Sequence, residues 1–358
     1  MRLPGLDLLR IIAGLALMVC HAGFWLGPFG IPDAFWMFLG QVNVELFLVA
    51  MGFLVAQDVL TAEHQIGIAR HWARSAFRLW PLYLILLAVN LVLVSADDVR
   101  PDWLAYPFLA QNLAWPHPPF FGEAWIVAAA AMVLLAAPVL CRVLRPRGFR
   151  AGIAVLIGLL LMSTVLRALL VSTGDPVFDV GVRKILIARL DLPLYAVLSA
   201  WLWVHRYAAI IRWRGALAML GGSLLAASAW IHLHVDLDHS SAARNFLLPM
   251  SDCAWLLLLP WVCSWQMPDR LCALVRGLAG SAYAGLLTHV TVLRIGALAG
   301  LSLVARSPSQ GVAMLLSFVL LASGVAILVH RLVDRPLLVL RERWWPIAPE
   351  HAVPVTKR

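Results

Sequence analysis

Long apolar runs separated by short polar connections dominate the chain. Runs of about 17 to 25 apolar residues are long enough to cross a bilayer as helices, and on this criterion we predict about ten spans. The predicted spans are 6–26, 35–59, 77–95, 123–141, 151–172, 185–204, 215–233, 246–265, 278–304 and 311–333. The pattern therefore predicts an all-α, polytopic integral membrane protein.

Composition agrees with this fold class. Hydrophobic residues make up 62% of the chain, charged residues 13%, and the mean hydropathy is +0.86, whereas soluble domains carry about 25% charged residues. The first apolar run lacks a small-residue cleavage site before the next span, so we interpret it as a retained helix and not a signal peptide. The five cysteines are scattered without the spacing of a metal site and are interpreted as packing residues.

The basic residues indicate how the chain is oriented. The formal net charge is +9, but the lysines and arginines lie in connections between spans, which fits lipid headgroups better than nucleic acid. The N-terminus and every second connection hold 20 of the 28 basic residues, and the intervening connections hold 5. Since cytoplasmic loops carry the excess of Lys and Arg, both termini are predicted to be cytoplasmic. We place a transmembrane domain at 1–340 and a short cytoplasmic tail at 341–358.

Two ionisable residues in the first span suggest chemistry. Arg10 and His21 are eleven positions apart, which puts them on one helix face about 16 Å apart along the axis. Ionisable groups inside a bilayer are costly and usually line a path or site that uses them. A snorkelling Arg and a hydrogen-bonded structural His are the alternative.

The second span carries a carboxylate near its outer end. A buried Glu45 needs a partner, and His21 is the nearest candidate on topological grounds. Such a pair would fix the imidazole tautomer and raise its basicity. Alternatively, Glu45 caps a helix or faces water.

Arginines at intervals of four precede the third span. Arg70, Arg74 and Arg78 share one helix face where the chain enters from the cytoplasm. Guanidinium groups suit phosphate recognition, although the row also satisfies the positive-inside rule without any binding role. Arg189 and Asp191 flank the start of a later span, and Asp252, His289 and Arg294 also lie in apolar surroundings. Spacing alone does not decide whether each is part of a structural ion pair or a functional group. The aromatic, proline-rich connection 96–122 is either a lid or sugar platform, or an interfacial aromatic belt.

These motifs together resemble membrane acyltransferase family 3, which O-acylates sugars and other extracytoplasmic acceptors. The matching segments, in chain order, are LDLLRIIAGLALMVCHAG, NVELFLVAMGFLVAQ, RSAFRLWPLY, QNLAW, ARLDLPLYAVLSA, SAYAGLLTHVTV and VHRLVDRPL. They place Arg189, Asp191, Tyr283 and His289 at family-motif positions, and Trp125 stands at the start of a further motif.

One motif departs from the family. A Trp-Ser-Leu run with a glutamate five residues after the Trp is common there, but Trp125 is followed by Ile126, and Ala130 stands at the glutamate position. Glu123 or Glu45 could take over the role, or the protein is a divergent or inactive member.

The resemblance implies a mechanism and partners. Arg10, Arg74 and Arg78 would bind a cytoplasmic acyl-CoA, acetyl-CoA being the expected co-substrate, and no tightly bound cofactor or metal is expected. His21 would act as the base or carry the acyl group, supported by Glu45. The acceptor would be a hydroxyl of a surface polysaccharide, exopolysaccharide or lipid-linked sugar at a bacterial inner membrane. The competing function is a transporter or flippase whose path the same charges line.

Overall fold

The computed structural model describes residues 3–62, 67–93, 101–117, 119–173, 177–301 and 304–345. Within these ranges the chain is helical and contains no β-strand. The predicted all-α membrane fold is thereby confirmed. The greater part of the tail predicted at 341–358 lies outside the described residues, as do residues 96–100 and Pro118 of the aromatic connection.

Eleven α-helices are described, joined by short connections. They are α1 (Pro4–Ala22), α2 (Asp33–Thr61), α3 (Ile68–Leu93), α4 (Ala124–Leu144), α5 (Phe149–Thr173), α6 (Asp191–His234), α7 (Ser241–Cys263), α8 (Asp269–Ala279), α9 (Ala282–Leu298), α10 (Pro308–Val329) and α11 (Arg335–Trp344). Short 3₁₀ segments at Pro101–Phe108, Pro119–Phe121 and Leu186–Arg189, and π-turns at Asp179–Arg183 and His330–Asp334, lie between them.

The described helices include eight that are long and apolar enough to cross a membrane, and nine if α8 and α9, bent by 48°, form one broken span. The difference from the predicted ten comes from α6, which is counted once. The predicted spans 185–204 and 215–233 fall on either side of Arg206, whose φ of −132° and ψ of 27° interrupt this helix.

The two halves of α6 run back along each other. Arg189, just before α6, lies 3.4 Å from the Asp252 carboxylate, and Ser228 Oγ lies 3.3 Å from Ser251 Oγ. Asp252 and Ser251 are neighbours on α7, whereas residues 189 and 228 would be more than about 50 Å apart on a straight helix. The chain therefore reverses at Arg206, and α6 is a helical hairpin long enough for two crossings.

Helix α1 lies inside the bundle, in contact with α2, α7, α8, α9 and α10. Glycines allow these close approaches. A Cβ on Gly5 would lie 2.1 Å from Val262 O, and one on Gly40 would lie 3.1 Å from Cys20 Sγ. The helix that carries Arg10 and His21 thus packs against several other helices, while Ile12 and Leu15 on it stay exposed.

Candidate active site

His21 contacts a second histidine, His289. The contact lies at the end of α1 that the charge pattern predicts to face away from the cytoplasm. His289 Nε2 on α9 lies 3.2 Å from His21 Nδ1, with the ring centroids 4.9 Å apart and the rings at 65°. His289 is 1% exposed, whereas His21 is exposed. Cys20 Sγ also lies 3.3 Å from His21 Nδ1. We call these three residues the imidazole site.

Hydrogen bonds to the backbone define which ring nitrogens carry protons. His21 Nδ1 lies 2.9 Å from Leu17 O, and His289 Nδ1 lies 3.0 Å from Gly285 O. A carbonyl oxygen only accepts, so in each neutral ring Nδ1 donates and Nε2 holds the lone pair. His289 Nε2 is then an acceptor for the His21 Nδ1–H, and His21 Nε2 is left as the basic atom.

A glycine allows α1 and α9 to approach closely enough for this contact. Gly285 is one turn before His289, on the same face of α9. A Cβ there would lie 3.0 Å from Met18 Cε and 3.4 Å from Ala326 Cβ. Met18 is itself one turn before His21 on α1. The absence of a side chain at residue 285 therefore brings the two histidines together.

The predicted partner of His21 is corrected by the structure. Both carboxylate oxygens of Glu45 bond to Arg189, Oε1 to Nη1 at 2.9 Å and Oε2 to Nη2 at 2.5 Å. Glu45 is fully buried and Arg189 is 1% exposed. This planar, bidentate pairing occupies the carboxylate, so Glu45 is not the group that orients the imidazole.

Glu45 belongs to a buried charge network that joins several helices. Its other members are Asp252 on α7, 3.4 Å from Arg189 Nη2, and Asp191 at the start of α6, which pairs with Arg167 on α5. All five side chains are at most 2% exposed. The network fastens α2, α5, α6 and α7, so Arg189 and Asp191 have structural roles here.

Trp125, at the start of α4, lies beneath a charged loop. The Arg183 guanidinium is 4.9 Å from the centroid of the Trp125 ring, a cation–π contact. Arg183 Nε donates to Asp179 Oδ1 at 2.6 Å, and Lys184 Nζ lies 2.5 Å from Asp179 Oδ2. Burial alone would raise the pKa of the Asp179 carboxyl, but Arg183 and Lys184 outweigh it and hold that pKa below its usual range. Arg183, Lys184 and Asp179 all interact electrostatically with His21, which places this loop at the imidazole site.

Ala130 stands where the family has its glutamate, and the Glu123 carboxylate contacts the residue that follows His289. Ala130 is 2% exposed and shares an apolar cluster with Leu17. Glu123, 2% exposed, accepts a hydrogen bond from the backbone N–H of Val290 at 3.2 Å, next to His289. Glu123 therefore supports the helix that carries His289. Among the described residues no group of three or more His, Cys, Asp or Glu side chains could hold a metal ion.

Three arginines from different helices interact near the N-terminal half of α1. Arg78 on α3 interacts electrostatically with Arg10 on α1 and Arg341 on α11. Arg10 Nη1 lies 3.5 Å from Asp7 Oδ1, at the outer limit of a hydrogen bond. Within the described part of the chain Arg78 makes no hydrogen bond. We call Arg10, Arg78 and Arg341 the arginine cluster.

Arg74, predicted to face the same ligand, is bound by the C-terminal helix. Its Nη2 donates to Glu342 Oε1 at 2.8 Å, and its Nη1 donates to Trp345 O. The helical row of arginines is confirmed, because α3 begins at Ile68 and continues past Arg78. Of Arg74 and Arg78, however, only Arg78 joins the arginine cluster.

Two further motif positions lie beside the arginine cluster. Tyr283 is 4% exposed, and its hydroxyl donates to Leu79 O at 2.8 Å, which ties α9 to α3 next to Arg78. Asp334 interacts electrostatically with Arg78, and its Oδ2 lies 2.7 Å from His330 Nδ1. Sequence analysis did not identify Arg341 or Asp334 as site residues, although VHRLVDRPL was recognised as a motif.

Comparison with known families identifies the family to which the chain belongs. A family model described as an acyltransferase domain, acyltransferase family 3, matches residues 3–331. No curated protein and no solved structure matches the chain. The fold is that of a polytopic membrane protein, and because the match covers nearly the whole chain, the protein belongs to acyltransferase family 3.

Proposed function

We propose that this protein transfers an acyl group, acetyl being the expected one, from a cytoplasmic acyl-CoA to a hydroxyl of a surface or exopolysaccharide sugar or its lipid-linked precursor, at a bacterial inner membrane. Membership of the acyltransferase family supports the reaction class. The observation that carries the proposal is that one helix, α1, contributes His21 to the imidazole site and Arg10 to the arginine cluster. About three helical turns separate His21 from Arg10, a distance of about 16 Å.

The imidazole site supplies the base. His21 Nε2 takes the proton of the acceptor hydroxyl as its oxygen attacks the thioester carbonyl, the C–S bond breaks, and the imidazolium returns the proton to the CoA thiolate. His289 Nε2 accepts from His21 Nδ1–H at 3.2 Å and, with Leu17 O, holds the ring in the basic tautomer. The same Nε2 could instead attack the thioester first and carry the acyl group to the acceptor. Rapid acid quenching without acceptor separates the two routes, since only the second leaves an acyl group on the protein.

The arginine cluster supplies the donor site. Arg10 and Arg78 come from different helices and repel each other electrostatically, and Arg10 pairs with Asp7. Guanidinium groups present forked donors that match phosphate oxygens. The phosphates of coenzyme A therefore belong at this end of α1, with the pantetheine arm extending toward His21.

The Trp125–Arg183 pair supports an acceptor site at the other end. Trp125 is 4% exposed and lies under the Arg183 guanidinium, and the charged loop beside it offers hydrogen-bond donors to a sugar. Tyr106 and Phe120 of the adjoining connection are buried, with ring centroids 4.9 Å apart. Trp115 of the same connection is exposed, which favours an interfacial aromatic belt over a sugar platform.

The buried charge network argues against transport as the main function. A transport path would expose its charges to a wet cavity, whereas Glu45, Arg189 and Asp252 bond to one another and are at most 1% exposed.

The test is transfer of labelled acetyl groups from acetyl-CoA by the purified full-length protein in nanodiscs with an outer-membrane or capsular glycan fraction as acceptor. Mass spectrometry of the glycan identifies the modified sugar. We expect labelled O-acetyl ester that mild base releases. Movement of a lipid-linked sugar across proteoliposomes without any acyl transfer would support the transporter instead.

A further inference from the structure

Helix α11 lies outside the region that the family model matches, yet it packs against the arginine cluster. The chain leaves α10 through the π-turn at His330–Asp334 and continues as α11. The α11 segment returns to α3, where the Phe77 ring lies 5.4 Å from Trp344 and 5.3 Å from Trp345 between centroids. The matched region ends at residue 331.

A carboxylate on α11 positions two arginines at once. Glu342 Oε1 accepts from Arg74 Nη2 at 2.8 Å and from Arg341 Nε at 3.0 Å. A planar guanidinium held through its Nε and one Nη has its remaining donors directed away from that carboxylate. Glu342 therefore fixes the direction in which Arg341 can bind another anion.

Charge balance around Arg78 indicates what that anion is. Glu342 joins Arg341 on α11 to Arg74, which lies one helical turn before Arg78 on α3. Arg10 and Arg341 both repel Arg78, and Asp334 attracts it. Asp334 also bonds to His330, and Glu342 is shared by two arginines. Like charges held together in partly buried surroundings are costly unless an anion lies between them. A phosphate group, with several oxygens and up to two negative charges, suits three forked donors.

We propose that Arg341 binds a phosphate of the acyl-CoA donor together with Arg10 and Arg78, so that α11 completes the donor site. This inference rests on the proposed function. It assigns to the C-terminal helix a part in donor recognition, with Glu342 as a positioning residue for Arg341.

The experiment compares ligands with and without phosphates. Full-length protein in nanodiscs is titrated calorimetrically with coenzyme A and with pantetheine, which has the same thiol arm and no phosphate. For Arg341→Ala we expect about tenfold weaker binding of coenzyme A, the loss typical of one hydrogen bond to a charged group, and unchanged binding of pantetheine. Arg341→Lys, which keeps the charge but not the fork, should fall between the two proteins.

Arg343→Ala is the matched control, because Arg343 is an exposed arginine on the same helix. It should bind both ligands as the unaltered protein does. Equal weakening of coenzyme A and pantetheine by Arg341→Ala, or no weakening of either, would overturn the proposal. If Arg341→Ala does not insert, the same comparison is made with Arg341→Lys, and an unchanged ratio of the two affinities contradicts it. The titration measures binding and involves no acyl transfer. A failure of the transfer assay would therefore reject the proposed function without deciding the role of Arg341.

Discussion

His289 Nε2 accepts a hydrogen bond from His21 Nδ1, across 268 positions of the chain and 3.2 Å of space. His289 is itself held by Gly285 O through its own Nδ1. His21 Nδ1 lies near a second acceptor, Leu17 O at 2.9 Å, so both the backbone and His289 orient the His21 ring. His289 is therefore the side chain that positions the imidazole of His21.

Replacing His289 tests this positioning role. His289→Ala removes one of the two acceptors near His21 Nδ1 and the ring packed against it, so His21 loses part of its orientation while Leu17 O still holds its tautomer. We expect kcat to fall about 10- to 100-fold, the loss typical when a partner that orients a functional histidine is removed, with little change in donor KM. His289→Gln should recover a large part of kcat, because its Oε1 can accept from His21 Nδ1–H. The measurement is steady-state transfer normalised to inserted protein. Equal losses in the Ala and Gln variants would indicate a packing role only.

A change at Gly285 separates the two histidines without removing either. Gly285→Val places methyl groups where even a Cβ would lie 3.0 Å from Met18 Cε. We expect α9 to move away from α1 and acyl transfer to fall at least about tenfold, because small displacements at a reacting centre are costly. Gly158→Val is the control, since a Cβ there meets nothing within 4 Å. Full activity in Gly285→Val would show that the histidine contact does not matter for turnover.

The buried charge network has a different expected phenotype. Arg189→Ala leaves the Glu45 carboxylate buried and without its bidentate partner, and breaking such a pair typically costs about 3–5 kcal/mol. We expect a clear loss of thermal stability and of inserted protein, whereas Arg214→Ala, on the exposed surface of α6, should change neither. A stable Arg189→Ala protein that binds coenzyme A but transfers nothing would instead place Arg189 in the chemistry.

The acceptor site is tested at Arg183. Arg183→Ala removes the cation over Trp125, and we expect acceptor KM to rise several-fold while donor KM stays the same. Arg183→Lys should be intermediate, because Lys keeps the charge but stacks less well on an aromatic ring. Two-substrate kinetics give both constants. A rise in donor KM alone would show that the charged loop serves the other substrate.

The positions of spans and of His21 follow from the sequence because bilayer burial imposes a direct pattern on the chain. The ten predicted segments correspond to described helices. Two of them form α6, which counts as one helix because the chain turns at Arg206 without an intervening loop. Periodicity also placed Arg70, Arg74 and Arg78 on one helix. These are local properties that neighbouring residues determine.

The contacts between side chains of different helices could not be predicted from the sequence in this way. Glu45 and His21 lie on helices that pack together, but Glu45 faces Arg189, and His21 faces His289. Which face of a helix meets which neighbour depends on packing between distant segments, here on Gly285, and one sequence carries no signal for it. Arg341 was missed because a basic residue near the C-terminus also fits the positive-inside rule.

The most direct test of the central claim is acyl transfer by His21→Ala, normalised to membrane-inserted protein, beside His205→Ala. His205 is a matched control because its Nδ1 also lies 3.0 Å from the carbonyl oxygen one turn earlier, Trp201 O, in an exposed position on another helix. We predict that His21→Ala abolishes transfer while coenzyme A binding persists, and that His205→Ala transfers normally. Near-normal specific activity of His21→Ala would contradict the account and remove His21 from the reaction.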